Sequence, residues 1–253
     1  MNHKLISALK HINELTPYEK ENASKKIQVE EMFDNIAHRY DFLNHLLSLG
    51  IDKLWRRSAV KMLKKQQPKT ILDIATGTAD FAIADYNAAP EKIIGVDIAE
   101  QMLAIGREKI KAKGLDQKII LQRGDSENLP FDNNTFDAIT VGFGVRNFEN
   151  LENGLKEMYR VLNPKGTVVV LEFSKPKVFP VKQLFYFYFH YVCPLIGKWF
   201  SKDPRAYTYL PESVDLFPEG NNFIAKLNEA GFQNTQCKPL TFGIASIYIG
   251  YKS

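Results

Sequence analysis

The stretch from Lys69 to Asp97, KTILDIATGTADFAIADYNAAPEKIIGVD, constrains this chain more than any other. It opens on a short apolar run, Ile71-Leu72-Asp73-Ile74-Ala75, the length of a buried parallel strand. A turn of small residues follows, Thr76-Gly77-Thr78-Ala79-Asp80, then helix-compatible residues through Ala84. A second apolar run, Ile93 to Val96, ends on Asp97. Such a strand–turn–helix–strand unit sets a ligand over the carboxyl ends of its strands. The closing acidic side chain is then placed to accept hydrogen bonds from ribose hydroxyls. The implied ligand contains a nucleoside.

The pattern continues. Ala99 to Lys113 reads as a helix ended by Gly114, and Lys118 to Gln122 as a third strand with Gly124-Asp125-Ser126-Glu127 at its carboxyl end. Phe136 to Val141 is a fourth strand, followed by Gly142-Phe143-Gly144-Val145-Arg146-Asn147. Leu151 to Leu162 is an amphipathic helix, Asn163 to Gly166 a turn, and Thr167 to Phe173 a fifth strand. Strands alternating with helices at this spacing predict an α/β fold, a parallel sheet covered on both faces. After a helix over Phe223 to Ala230, two further strands, Thr235 to Leu240 and Ala245 to Tyr251, form a hairpin that sets one antiparallel strand near the sheet edge.

Ahead of this core, residues 1–30 are polar, broken at Thr16-Pro17, and read as a solvated arm with helical pieces. From Val29 apolar residues recur at helical spacing (Met32, Phe33, Ile36, Tyr40, Leu43, Leu46, Leu47), Gly50 offers a stop, and a second helix runs from Asp52 to Lys65. The 253 residues suit one sizeable α/β domain with an appendage, or two small domains. The net charge of +4 is spread along the chain, without the basic stripe and interleaved aromatics of a nucleic-acid binder. Cys193 and Cys237 lie far apart without metal spacing, which reads as a reducing compartment. Neither a signal-peptide core nor the roughly 20 apolar residues of a membrane span is present.

The turn itself narrows the nucleoside. A dinucleotide site wants G-x-G-x-x-G so that a pyrophosphate can approach bare backbone, and this turn has one glycine. A sulfonium nucleoside carrying an amino acid has no phosphate to cradle. Asp73 suits its ammonium, and turn amides with the Thr78 hydroxyl suit its carboxylate. In this the chain resembles the class I S-adenosylmethionine-dependent methyltransferases, whose acidic-x-Gly-x-Gly-x-Gly motif and later acidic positions are matched by Asp73, Gly77, Asp97 and Asp125. Ala75 and Ala79 stand where glycine is usual. The resemblance implies a Rossmann-like, seven-stranded, mostly parallel sheet with one antiparallel strand. It also implies S-adenosyl-L-methionine as methyl donor, with Gly77 and Thr78 at the methionine end, Asp97 at the ribose, and Asp125 with Ser126 at the adenine edge.

A narrower resemblance covers the chain from about residue 30 to its end. The stretches Met32-Phe33-Asp34-x-Ile36-Ala37-x-Arg39-Tyr40-Asp41-x-x-Asn44, Trp55-Arg56, Phe143-Gly144-Val145-Arg146-Asn147, Met158-Tyr159-Arg160-Val161-Leu162, Leu171-Glu172-Phe173-Ser174 and Tyr207-x-Tyr209-Leu210-Pro211-x-Ser213 are similar to those of the quinone-biosynthesis C-methyltransferases. That family methylates a ring carbon of a polyprenylated quinol, which implies demethylmenaquinol, or the benzoquinol precursor of ubiquinone, as acceptor. Serine is common at the position of Gly142 in relatives serving both pathways, which points toward menaquinone biosynthesis alone. The resemblance places Arg146 at the acceptor oxygen with Asn147 beside it, and requires no metal. An arginine there stabilises a phenolate that water alone would leave protonated, since a phenol has a pKa of about 10. Arg146 could instead pair with a helix end or a carboxylate.

Tyr40 and Asn44 share a helix face that can line an acceptor cavity, though a tyrosine such as Tyr40 taken alone is more often core. His38 and His45 are candidate bases, but a lone helix histidine is usually structural or exposed, and neither is assigned the role. Leu184 to Phe200, LFYFYFHYVCPLIGKWF, is apolar on almost every side and broken by Pro194 and Gly197. It reads either as a helix pair buried as a cap, or as a cap whose inner wall meets a prenyl tail and whose outer wall meets a bilayer, with Lys182, Lys198 and Lys202 for anionic head groups. The division expected is N-terminal helices over 1–66, as an acceptor lid, and a methyltransferase core over 67–253 with an insertion at about 178–218. The partners expected are a prenylated quinol and the membrane surface, with no nucleic acid. A homodimer is compatible with the sequence, and the location expected is cytoplasmic, at the inner face of the cytoplasmic membrane. Rival readings are a methyltransferase for a soluble small molecule, an RNA methyltransferase, and a non-catalytic S-adenosylmethionine-binding protein.

Overall fold

The computed structural model describes residues 15–200 and 203–253. The start of the N-terminal arm and Lys202 lie outside the described residues. Two helices lead, α1 (Lys25–Leu47) and α2 (Ile51–Lys64). The core follows as β1 (Thr70–Ile74), α3 (Asp80–Asp85), β2 (Lys92–Asp97), α4 (Glu100–Ala112), β3 (Ile119–Arg123), β4 (Phe136–Gly142), α5 (Leu151–Val161) and β5 (Leu162–Phe173). An insertion carries α6 (Val181–Phe187), α7 (Cys193–Phe200) and α8 (Arg205–Leu216). Helix α9 (Asn221–Glu229) and the hairpin β6 (Gln233–Leu240) and β7 (Ala245–Tyr251) complete the chain.

The seven strands pair in the order β3-β2-β1-β4-β5-β7-β6, with β7 antiparallel to both of its neighbours and the other pairings parallel. Strand side chains alternate between faces. Leu72, Ile74, Ile139, Val168 and Val170 pack with Leu155, Met158, Phe223 and Leu227 on one side. Ile71, Ile93, Ala138, Val169 and Ile247 pack with Trp55, Ala59, Leu63, Phe81 and Leu103 on the other. This is the α/β fold with a largely parallel sheet that the alternation predicts, and the Rossmann-like arrangement that the resemblance implies.

The departures have local causes. Helix α1 begins at Lys25, earlier than the apolar periodicity does, because Ser24 Oγ accepts the Ile27 amide and Gln28 is buried as a polar anchor. Gln28 accepts from the Tyr18 and Lys20 amides and donates to the Lys20 and Ala23 carbonyls, so the arm expected to be solvated is bound to the helix from Tyr18 onward. Strand β5 starts at Leu162, five residues early, with a register shift against β4 between Phe136 and Ala138 that absorbs Asn163 to Gly166. Leu184 to Phe200 is not a helix pair. One helical run passes from α6 through a π turn, Tyr188–Val192, into α7, and that wider turn precedes the missing amide of Pro194. Gly197 does not break the helix either. A Cβ there would lie 2.3 Å from the Tyr207 ring, so the glycine lets α8 pack closely against α7.

The motif turn carries its own strain. Ala75, Gly77 and Ala79 have φ of 53°, 55° and 65°, the left-handed region that explains why glycine is usual at all three. Each alanine costs on the order of 1–2 kcal/mol there. Glycines opposite make room for the two methyl groups. A Cβ on Gly144 would come within 2.5 Å of Ala75 Cβ, and one on Gly106 within 3.3 Å of Ala79 Cβ.

Beneath the turn the β1–β4 register sets Asp73 against Thr140. Thr140 Oγ1 lies 3.2 Å from Asp73 Oδ1 and 2.7 Å from Asp85 Oδ2, and all three residues are fully buried. One hydroxyl hydrogen cannot serve two carboxylates, so one of the acids keeps a proton to donate to Thr140. Burial raises the pKa of both, which favours that protonated form.

The paired small residues generate a prediction. Gly144→Ala is expected to destabilise the protein by about 1–3 kcal/mol in chemical denaturation. Ala75→Gly in the same chain is expected to restore a large part of the loss; equal destabilisation of the single and double variants would show that the two positions do not share that space.

Candidate active site

Strands β1 to β4 end along one edge of the sheet, and α1 lies over that edge. Beneath α1 runs a groove lined by Gly77, Asp97, Asp125 and Ser126, with Val96, Ile98, Met102 and Phe148 as apolar walls. Asp97 Oδ2 accepts the Gly77 amide at 2.8 Å and Oδ1 the Ala99 amide at 2.9 Å, which fixes the carboxylate at the end of β2. Burial pushes its pKa up to about 6, against the pull of those amides. Asp125 Oδ1 accepts the Glu127 amide, while Oδ2 pairs with Lys26 Nζ of α1 at 2.5 Å. The donor set fits a nucleoside: a held carboxylate at the end of one strand, a second carboxylate beside a hydroxyl past the next, and an apolar slot between them.

Four of the predicted cofactor residues therefore share the groove, and two do not. Asp73 is buried beneath the turn, where Oδ2 accepts the Thr76 hydroxyl at 2.6 Å. The Thr78 hydroxyl bonds to Asp41 Oδ1 of α1, and Lys109 Nζ stands 3.2 Å from it. The side chains of both residues hold the turn from behind. Gly142 lines the groove with its open face toward Phe81, whose Cδ1 would lie 2.7 Å from a Cβ at that position.

A second, larger cavity of about 570 Å³ lies alongside, between α1, α2 and the insertion. Trp55, Phe143 and Phe173 form an aromatic wall, with ring centroids 4.6 Å apart for Phe143 and Phe173 and 6.1 Å for Trp55 and Phe143. Arg146, Asn147, Tyr40 and Asn44 all line this cavity, Tyr40 and Asn44 one helical turn apart on the same face of α1. Phe33, Tyr40, Phe143 and Asn147 line both spaces, so they form the partition across which the two would communicate.

Arg146 is buried and closely held. Its Nε donates to Ser213 Oγ at 3.3 Å, and its Nη1 donates to Glu172 Oε1 at 2.8 Å and to the Phe143 carbonyl. The guanidinium also faces the Phe173 ring at 5.7 Å. Among the described residues Nη2 has no hydrogen-bond partner and remains as the donor available to a ligand in the cavity. Pairing with a carboxylate, the alternative role for Arg146, is thus present together with a place in the cavity wall. Glu172 and Ser213 were visible in the sequence only as parts of longer motifs. The signal for Glu172 was a lone acid inside an apolar strand, which must find a buried cation.

His45 Nδ1 lies 2.9 Å from Asp52 Oδ2, and with Asp80 these side chains form the one group among the described residues that could hold a metal ion. Arg56 bridges Asp52 and Asp80, and Lys109 adds a 2.5 Å bond to Asp80, so the cluster is already an ion-pair network. His45 is a member of that network.

Residues 20–252 match the ubiE/COQ5 methyltransferase family. The chain is 50% identical over 239 residues to the demethylmenaquinone methyltransferase of Bacteroides fragilis, covering 94% of this chain and 97% of that one. It is 48% identical over 227 residues to the ubiquinone/menaquinone biosynthesis C-methyltransferase UbiE of Geotalea daltonii, covering 89% and 96%. The fold is similar to that of a SAM-dependent methyltransferase of Thermotoga maritima, with a TM-score of 0.62, 18% identity and coverage of 88% and 99%. The family match spans the turn, both cavity walls and the terminal hairpin, and the chain belongs to the ubiE/COQ5 methyltransferase family.

Proposed function

We propose that this protein transfers the methyl group of S-adenosyl-L-methionine to a ring carbon of demethylmenaquinol, giving menaquinol. The observation that carries the reading is the anchored Arg146, with Nη2 unpartnered among the described residues, in an aromatic cavity that shares a wall with a nucleoside groove. When bound, the cofactor supplies an electrophilic methyl on a sulfonium. Gly77, Asp97, Asp125 and Ser126 hold it, Asp97 by the ribose hydroxyls, and Lys26 must share or release Asp125 as it enters. The Asp73 and Thr78 side chains act through the turn they support.

The acceptor ring stacks on the wall of Trp55, Phe143 and Phe173, with one hydroxyl at Arg146 Nη2 and Asn147 and the Tyr40–Asn44 pair on the other side. Loss of the hydroxyl proton pushes electron density onto the ring, and Arg146 favours the phenolate. Over the whole reaction the ring would supply the electron pair of the new carbon–carbon bond, the methyl–sulfur bond would break with its pair going to sulfur to leave the thioether S-adenosylhomocysteine, and the proton of the methylated ring carbon would pass to solvent. The names of relatives in both quinone pathways keep the benzoquinol precursor as a second acceptor class. We take α1 and α2 with the insertion as the lid that excludes water.

The cavity mouth favours a membrane-dissolved acceptor over a soluble one. Leu49, Leu184 and Phe187 line the cavity and are 79%, 65% and 60% exposed, so they mark its rim. Val178 and Phe179 are exposed beside α6, as are Lys177 and Lys182. No helix of the described residues is long and apolar enough to cross a membrane. The rim lies in the headgroup layer, its lysines on anionic lipid, and the prenyl tail runs from the cavity into the bilayer.

Mass spectrometry of an anaerobic reaction with reduced short-tail demethylmenaquinone tests the reading. One methyl gained on the ring, and none on the oxidised quinone, is expected; no transfer despite cofactor binding would overturn it. Arg146→Gln is expected to lower kcat on the order of 100-fold with cofactor affinity nearly unchanged. Phe179→Glu with Leu184→Glu should abolish flotation with anionic vesicles, and undiminished flotation would remove this face from the membrane.

Asp97 gives a pH dependence. Its folded pKa of about 6 lies above the ordinary carboxylate value, so its contribution to stability is present below pH of about 4 and is lost as pH rises through about 6. Ribose hydroxyls donate to the ionised form, so cofactor binding has the opposite trend. Calorimetry with S-adenosylhomocysteine should show affinity rising as pH increases through about 6 and then levelling. Asp97→Asn should bind weakly with no such rise; a flat wild-type profile would detach Asp97 from the ribose.

A further inference from the structure

Glu172 is bonded in an unusual way for a partner of arginine. Its Oε1 accepts from Arg146 Nη1 at 2.8 Å and from the Phe173 amide at 2.9 Å, and the Arg146 backbone amide also faces the carboxylate. Its Oε2 is buried without a hydrogen-bond partner among the described residues. An arginine–carboxylate pair is frequently bidentate, each carboxylate oxygen taking its own N–H. Here one oxygen does all the bonding, and Arg146 Nη2 is left for the cavity. An amide carbonyl could meet both donors equally well, so hydrogen bonding alone does not call for a carboxylate. The negative charge is an added desolvation cost at a residue with no exposure at all.

We propose that Glu172 is a positioning residue whose charge sets the acidity of the acceptor hydroxyl: it offsets the charge of Arg146, so a phenol bound at Nη2 stays mainly neutral. The inference rests on the acceptor reading given above. The other cations around the pair each face carboxylates of their own. Lys25 of α1, whose Nζ is 3.4 Å from the Arg146 carbonyl, faces Glu127 and Glu149. Arg205 of α8 pairs with Glu212 at 2.9 Å. Tyr40 of α1 and Tyr209 of α8 also face Arg146, and burial raises the pKa of both, so they stay uncharged. Burial raises the pKa of Glu172 as well, and Arg146 beside it works against that rise. The potential at the aromatic wall is thus set by how far Glu172 cancels Arg146. An uncancelled guanidinium would hold quinolate, or any small phenolate, in the resting enzyme. With the cancellation, ionisation awaits further positive charge in the adjoining groove.

The test is an absorbance titration of 1-naphthol bound to the cofactor-free protein, which reads phenol ionisation without turnover. Glu172→Gln keeps the carbonyl for both donors and places its NH₂ where Oε2 had no partner. It is expected to lower the pKa of the bound naphthol by about one unit, a tenfold gain in phenolate. Glu172→Asp, which keeps the charge, should stay near the wild-type value. Arg146→Gln, which leaves Glu172 uncancelled, should raise it. The acid limb of kcat/KM should move to lower pH in Glu172→Gln, a change that loss of packing would not produce. An unmoved naphthol pKa in Glu172→Gln beside a raised one in Arg146→Gln would overturn the role of Glu172 and leave the acceptor site standing. Should neither variant move it, the phenol does not sit at Arg146, and the acceptor reading falls with the inference.

Discussion

A buried arginine must be satisfied before anything around it can be built, and Arg146 draws three separate parts of the chain together. Glu172 comes from the end of β5, the Phe143 carbonyl from the loop after β4, and Ser213 from α8 of the insertion. Removing one partner of such a pair typically costs about 3–5 kcal/mol, because the other charge is left stranded away from water. The same contacts shape the cavity. Phe143 adopts φ of 57°, and in that conformation its carbonyl accepts from Arg146 while its ring stands between the two ligand spaces. The aromatic wall of the cavity and the charge that faces it are therefore one construction.

That construction answers a geometric demand of the reaction class. Two ligands must meet at one sheet edge, and the partition between them must be thin and rigid. Phe33 and Tyr40 reach it from α1, and Phe143 and Asn147 from the loop after β4. Helix α1 is the common roof. It is fastened by Lys26 to Asp125, by Asp41 to Thr78 and Lys109, and by the Lys25 ammonium to the Arg146 carbonyl. All of these contacts involve a charged side chain, and the Lys26–Asp125 pair lines the groove itself. The insertion closes the other side with aromatic packing, Phe185 on Phe189 and Phe189 on Phe173, and with the Tyr188 hydroxyl on the Leu47 carbonyl at the end of α1.

The sheet and the groove were legible in the sequence to different depths. Every core strand was readable because a buried parallel strand needs a short apolar run, and the antiparallel β7 followed from the terminal hairpin. Asp97, Asp125, Ser126 and Gly77 lie in the groove because each sits at the carboxyl end of a strand, a position that strand order alone fixes. Asp73 and Thr78 were equally well placed along the chain, yet their side chains turn toward Thr140, Asp41 and Lys109. The run from Tyr207 to Ser213, read in the sequence only as a family motif, is a helix despite Pro211, with Ala206, Tyr207 and Tyr209 buried against α1 and its neighbours.

By itself the sequence determined the periodic elements, the order in which they alternate, the ends of strands where a ligand must lie, and the motifs that mark the family. Those properties depend on residues close together in the chain, through strand alternation, helical spacing and turn conformation. Tertiary structure alone decided which polar groups face ligand and which face protein. It chose Glu172 and Ser213 as the anchors of Arg146, and it brought the rim residues Leu49, Leu184 and Phe187 together around one mouth. The reason is physical: a buried polar atom takes whichever partner the packing brings within hydrogen-bond distance, and for Arg146 those partners lie 26 and 67 residues away in the chain.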